Sequence, residues 1–481
     1  MAKRRIIAGL LAGAFVFSTP ASAETLKEAL ARAYYDNPTL AAARAQLRAT
    51  DENVPIQRSR GLPDLSASAS YSELVQQSTP AVVSPERLVR GNVSLAVPVY
   101  SGGAVRNGIL AAENRVEAGR ADLRGTESAI FSQVVAAYMD VILNEALVSL
   151  TANNVEVLTV NLEATSDRFE IGDLTRTDVA QSQSRLAIAE GDLQSARANL
   201  IEARERYLQL TGAPPMDLQA PPPLPGLPSS PDEAVDIALE YNPDIIAARE
   251  QAEAAGYDIE VAGAGRLPSL SLFAQTDYQN FLGSNPSGSN AGTDITVGAS
   301  VSIPIFQGGR PAAQQRQAGA LAVAALEQAI ATERAVIAQV RAAFSSYRAA
   351  NAVARSSEQA VAAAELSLEG VRAENTVGNR TILDILNAQQ ELLNAQTQLV
   401  TARRNAYVAG FTLLAAMGRA EARDLGLEDE GPLYDPIDNY DRVRGIIWDW
   451  QRDPEPAAES TRTVDIPAQD GEISTSLPAG D

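Results

Sequence analysis

Two hydrophobic periods alternate along this chain. From about residue 104 to 170 there is no proline, and Val134, Val141, Val148, Val155, Leu162 and Phe169 recur at steps of seven. A sustained seven-residue step predicts a left-handed coiled coil. At 1.5 Å per residue, that helix is on the order of 100 Å long. Ahead of it the period is two. Val93, Leu95, Val97 and Val99 alternate with Asn92, Ser94, Ala96 and Pro98. Leu65, Ala67, Ala69 and Tyr71 alternate with serines. Period two predicts strands with one apolar and one polar face.

The whole pattern occurs twice. "VPVYSGG" (97–103) returns as "IPIFQGG" (303–309), "YDNP" (35–38) as "EYNP" (240–243), and "EIGDLTRTDVAQSQ" (170–183) as "TVGNRTILDILNAQQ" (376–390). The offset stays at 205–206, which marks duplication of one unit. Repeat 1 covers 24–212: a helix over 25–59, a hairpin over 62–100, a long helix over 104–170, a tip turn, and a return helix over 174–211. Repeat 2 covers 231–418: a helix over 231–264, a hairpin over 267–306, a long helix over 310–376, a tip turn, and a return helix over 381–417. Proline-rich 213–230 joins the copies. By length, each long helix pairs with two shorter ones laid end to end.

Alternation alone fits a soluble sandwich. Three features favour lipid instead: an export signal, strands of about ten residues or more, and aromatics near strand ends (Tyr71, Tyr100, Tyr278, Phe306). The signal is Lys3-Arg4-Arg5, an apolar run from Ile6 to Phe17, and Ala21-Ser22-Ala23, predicting a signal peptide over 1–23. Four strands cannot close a barrel, and lipid tolerates no open edge. Three chains supply twelve strands, enough to leave a lumen.

Composition narrows the chemistry. The chain has no Cys and no His, which removes thiolate and imidazole catalysis, disulfides and a Cys-linked lipid anchor. No catalytic residue, metal site or cofactor is expected. A net charge of −21 opposes nucleic-acid binding. An enzyme on a helical scaffold would need carboxylates or a Ser/Lys pair, and Lys27 is the only lysine after the signal. A periplasmic or surface coiled-coil scaffold explains the heptads and leaves the strands unexplained.

The repeat, "LPDLSASASY", both strand-to-helix motifs, the Gly172 and Gly378 turns, and "LGLEDEGPLYDPIDNYDRVRGIIWDW" (425–450) resemble TolC-like outer-membrane export ducts. The resemblance implies a mixed α/β membrane protein. It would be a homotrimer with a twelve-stranded β-barrel in outer-membrane lipid, four strands per chain, continued by a coiled-coil α-helical periplasmic barrel. Segments 213–230 and 419–450 would form an equatorial belt, and acidic 451–481 reads as a disordered tail. The implied partners are a periplasmic membrane-fusion adaptor and an inner-membrane ABC or proton-driven transporter. Protein secretion and small-molecule efflux are not separated.

Two sites follow. Gly172 and Gly378, with Arg168 and Asp173, mark the tips, where helix C-capping is the local role and adaptor docking the implied one. Thr175-x-x-Asp178 and Thr381-x-x-Asp384 read as capping boxes. By resemblance, Asp384, Asn387 and Arg380, with Thr177 and Asp178 in the first copy, form a periplasmic gate and selectivity ring. Three Asp384 carboxylates in one ring would raise one another's pKa.

Overall fold

The computed structural model describes residues 23–76, 87–282, 291–458 and 460–473. Residues 1–22, carrying nearly all of the expected signal peptide, lie outside the described residues, as do 77–86 and 283–290 of the polar strand loops.

The first repeat runs α1 (Leu26–Asp36), α2 (Pro38–Asp51), α3 (Asn53–Ser59), β1 (Asp64–Glu73), β2 (Arg87–Tyr100), α4 (Ala104–Glu170) and α5 (Arg176–Thr211). The second runs α6 (Pro231–Tyr241), α7 (Pro243–Ala264), β3 (Ser269–Phe281), β4 (Ala291–Ser302), α8 (Arg310–Thr376) and α9 (Ile382–Ala416). A short α10 (Asp438–Val443) follows.

The single helices expected over 25–59 and 231–264 are each broken. Asn37 ends α1 and caps α2; its Oδ1 accepts from the Thr39 and Leu40 amides, and Pro38 takes the first helical position. Asn242 repeats this between α6 and α7, with Asp244 and Ile245. Both asparagines are buried. Each donates 2.9 Å to the last turn of the return helix, Asn37 to the Leu210 carbonyl and Asn242 to the Ala416 carbonyl. A further break at Glu52 follows from Pro55, which lacks the amide hydrogen a continuous helix needs there.

Each long helix packs beside shorter neighbours, α4 against α5, α7, α2 and α3, and α8 against α9, α7 and α6. The main apolar core sits at mid-length of both long helices. It holds Phe131, Val134, Tyr138 and Val141 of α4, and Val336, Val340 and Phe344 of α8. Toward the tip the heptad loosens, and Phe169 is exposed. Small residues replace bulky ones on the return helices: Ser182, Ala189, Ala196 and Ala203 of α5 are buried at steps of seven, as are Ala395 and Ala402 of α9. Such side chains let backbones approach closely without voids. One stretch of α4 is apolar enough to cross a membrane, but its apolar residues build this core.

Leu218, Leu224, Leu227, Leu425 and Leu433 from the two non-repeat segments cover the core at this mid-height. The tail departs from expectation. Residues 469–473 lie along α5: Arg204 donates to the Asp470 carbonyl and Oδ1 (both 3.0 Å), the Gln469 amide donates to Glu205, and Ile473 packs on the core. The acidic tail meets arginine on α5, and Ile473, which packs on the core, sits twenty-two residues beyond the point where composition turns polar, at Gln451. Composition averaged over the segment hides both.

Candidate functional site

The strands form one antiparallel sheet in the order β1-β2-β3-β4. Facing residues in antiparallel strands share a side, so the register sorts the two faces. Leu65 faces Leu95, Leu95 faces Ala274, and Ala274 faces Val297. Tyr71, Val93, Val97, Leu272, Ile295 and Val301 join that face. The opposite face carries Ser66, Ser94, Gln275 and Thr296 in one row, and Asn92 donates to Asp277 there (2.8 Å). Phe273 is an aromatic on the polar face; it lies over Gly298, where a Cβ would come within 2.7 Å of the ring.

Among the described residues, nothing covers the apolar face. Ile295, Val297 and Val301 are 75%, 77% and 60% exposed, values that place them against a partner or lipid in the working protein. Among the described residues, β1 and β4 are open edges. "VPVY" continues β2 to Tyr100 through an irregularity at Pro98, because β3 pairs with it. "IPIF" leaves the sheet after Ser302, where β4 has no second neighbour among the described residues.

At the other end of each long helix, glycine makes the turn. Gly172 (φ +82°) and Gly378 (φ +81°) are left-handed, and the next amide bonds back to the helix: Asp173 to the Arg168 carbonyl (2.9 Å), Asn379 to the Glu374 carbonyl (3.0 Å). This is the six-to-one bond of a glycine C-cap. No other atom comes within 4 Å of a Cβ placed at either glycine. Arg168 Nε donates 2.8 Å to Asp173, closing the first tip. Arg380 Nε donates 2.7 Å to Glu374 across the second, and its Nη1 lies 3.9 Å from Asp384.

Both capping boxes form. Asp178 Oδ2 accepts from the Thr175 amide (2.9 Å) while Thr175 Oγ1 accepts from the Asp178 amide (3.3 Å). Asp384 and Thr381 repeat the pair at the same distances. The capping residue is Thr175; Thr177 stands exposed on the first turn. Within one chain both carboxyls shift down, not up. The Thr175 hydroxyl and amide bonds hold Asp178 low; the Thr381 bonds do the same for Asp384, with Arg380 adding to the effect. The upward shift expected of a ring needs neighbouring copies. Asn387 is exposed yet tied: Arg185 of α5 donates to its Oδ1 (3.1 Å). Two residues on, Gln389 accepts from Asn161 of α4 (3.0 Å). Sequence reading missed both bonds, whose partners lie 202 and 228 residues apart.

The model of a family described as outer membrane efflux protein matches residues 27–213 and again 234–419, one match per repeat. The outer membrane efflux protein BepC of Brucella suis is 35% identical over 438 residues, spanning 90% of this chain and 94% of that one. The outer membrane protein TolC of Vibrio cholerae is 27% identical, spanning 84% of this chain and 92% of its own. The crystal structure of the Campylobacter jejuni CmeC outer membrane channel shares the fold, with a TM-score of 0.73, 18% identity, and coverage of 87% of this chain and 89% of that one.

Proposed function

Because this chain belongs to the outer membrane efflux protein family and is an outer-membrane exit channel, we propose that it works as a homotrimer at the end of a tripartite export system. Three four-stranded sheets close one twelve-stranded barrel, and three pairs of helical hairpins continue it as a periplasmic tunnel. A membrane-fusion adaptor docks at the Gly172 and Gly378 tips. An inner-membrane ABC or proton-driven transporter supplies the energy and hands over proteins or small toxic molecules. The observation that carries this reading is the apolar sheet face, uncovered and open at both edges. Lipid covers such a face, and only closure removes such edges. A coiled-coil scaffold would leave both without a solvent.

At the tunnel entrance, Asp384 has two tasks. It completes the capping box of α9 in each chain by accepting the Thr381 amide, and three copies form an acidic ring that attracts cations. Arg380, held by Glu374 and Asp384, keeps the tip closed. The substitution Asp384→Asn separates the tasks, because an amide oxygen can still accept the Thr381 amide while the charge is lost. In planar bilayers, Asp384→Asn is expected to lose cation preference and block by multivalent cations. Arg380→Ser is expected to raise conductance and antibiotic leak. Unchanged selectivity in Asp384→Asn makes the carboxylate a cap alone and puts the gate elsewhere.

A further inference from the structure

After the second repeat the chain climbs the first one as a strap. Lys27 pairs with Asp429 (2.7 Å), the Tyr35 hydroxyl donates to the Pro432 carbonyl (3.2 Å), and the Tyr434 amide donates to the Tyr34 hydroxyl (2.9 Å). Higher up, Asn439 donates to Asp51 (2.6 Å), and Arg58 donates to the Arg444 carbonyl (2.7 Å). The contacts advance from α1 through α2 to the last turn of α3, toward the sheet. Arg58 stands six residues before β1 begins, and Gly61 between them packs on Val105 in the first turn of α4. Arg444 is therefore held just beneath the strands.

Beyond Arg444 the chain makes a loop, closed where Arg442 grips both carboxylate oxygens of Asp453 (2.9 and 3.0 Å). The loop displays Ile447, Trp448 and Trp450, at 69%, 69% and 76% exposure. Large apolar side chains exposed together mark a contact surface. Turns in which the Ile446 amide donates to the Val443 carbonyl (3.0 Å) and the Gln451 amide to the Trp448 carbonyl (3.2 Å) keep the loop compact beside Arg444, beneath the strand ends. There Tyr100, half exposed at the end of β2, sits at the same rim.

We infer that Trp448 and Trp450, raised to the rim of the barrel by the 429–444 strap, anchor the helical domain in the periplasmic leaflet of the outer membrane. The occupant is a phospholipid surface. The loop continues the apolar band of the sheet at its periplasmic edge, and indole, apolar in body with one N–H for the headgroups, suits that depth. Arg452 stands beside it as a partner for lipid phosphates, while Arg444 is held by Asp441 (3.2 Å). The inference rests on membrane insertion of the sheet.

The test exploits composition: the chain has two tryptophans, and both are in this loop. The full chain is placed in nanodiscs of phosphatidylethanolamine and phosphatidylglycerol, with or without lipid brominated near the headgroup end of the acyl chain. Tryptophan emission should move to shorter wavelength than in urea-unfolded protein, and brominated lipid should quench most of it. Emission that stays at long wavelength and is quenched by acrylamide overturns the inference and leaves the loop in water. Short-wavelength emission that brominated lipid leaves unchanged also overturns it, in favour of burial against a protein surface. Val97→Trp in a Trp448→Phe/Trp450→Phe background is the control. Lipid quenching there, without quenching of the native pair, sinks the anchor and leaves the channel reading standing.

Discussion

Glu127 lies on α4 beneath the strap, where its carboxylate accepts the Ala422 amide and burial pushes its pKa up to about 7. Glu421 beside it pushes the same way; Arg44 and Arg124 pull it back only partly. The folded pKa is raised, so the unfolded chain gives up its proton first. The stability the proton confers is whole below about pH 4.5, is lost as pH rises to about 7, and amounts to about 3 kcal/mol. Glu127→Gln keeps an acceptor for the Ala422 amide and removes the ionisation. It should raise the melting temperature at about pH 8, leave it nearly unchanged at about pH 5, and flatten the slope between them. A melting curve of purified protein that keeps its wild-type pH slope would assign the effect to other groups. This group was invisible in the sequence, because Ala422 and Glu421 lie almost three hundred residues away. The two Thr-x-x-Asp caps were legible because every atom they need lies within four residues. Arg185–Asn387 and Asn161–Gln389 fail that condition, so the ties of the gate helix appear only in the fold.

At the scale of elements, Asn37 and Asn242 each serve two helices and the end of a third. The "NP" pairs stood in the sequence as matched repeat landmarks, yet apolar periodicity runs across them and concealed the break. What periodicity cannot show is the side-chain amide reaching the Leu210 or Ala416 carbonyl, which joins residues more than 170 apart. Asn242→Ala removes the cap of α7 and leaves a buried carbonyl without its donor. The expected cost is about 1–3 kcal/mol, seen as a lower melting temperature. Asn242→Asp keeps the cap but turns a carboxylate on the Ala416 carbonyl. It should destabilise at least as much as Asn242→Ala at neutral pH and less once protonated. Equal stability of wild type and both variants would mean the helix break is held by Pro243 alone. The strands were easier to read, because a face exposed to one solvent along its whole length leaves an unbroken period of two.

For the whole molecule, the duplication supplies the contact that one chain cannot show. Inside the sheet, β2 of the first repeat pairs with β3 of the second, with Ser94 opposite Gln275. If three chains close a ring, β4 of one must pair with β1 of the next in the equivalent way. Carrying Ser94 forward by 206 gives Ser300, and carrying Gln275 back by 205 gives Ser70. The same transfer sets Val301 opposite Ala69, both on the apolar face, so the register respects the pleat; a slip of one residue would not. Ser70 and Ser300 are exposed on the polar face, and their neighbours within the chain leave both edges free. The chain has no native cysteine to confuse a disulfide. Ser70→Cys/Ser300→Cys should therefore oxidise to a covalent trimer on non-reducing gels, since every junction around a three-chain ring is linked. Either single variant should stay monomeric when denatured. Ser70→Cys/Ser302→Cys, displaced by two residues along the strand, should link far less, because a disulfide tolerates little more than about 7 Å between Cα atoms. A ladder that stops at dimer would break the three-fold closure. Efficient linking in the displaced pair alone would keep the closure and replace the register drawn from the repeat.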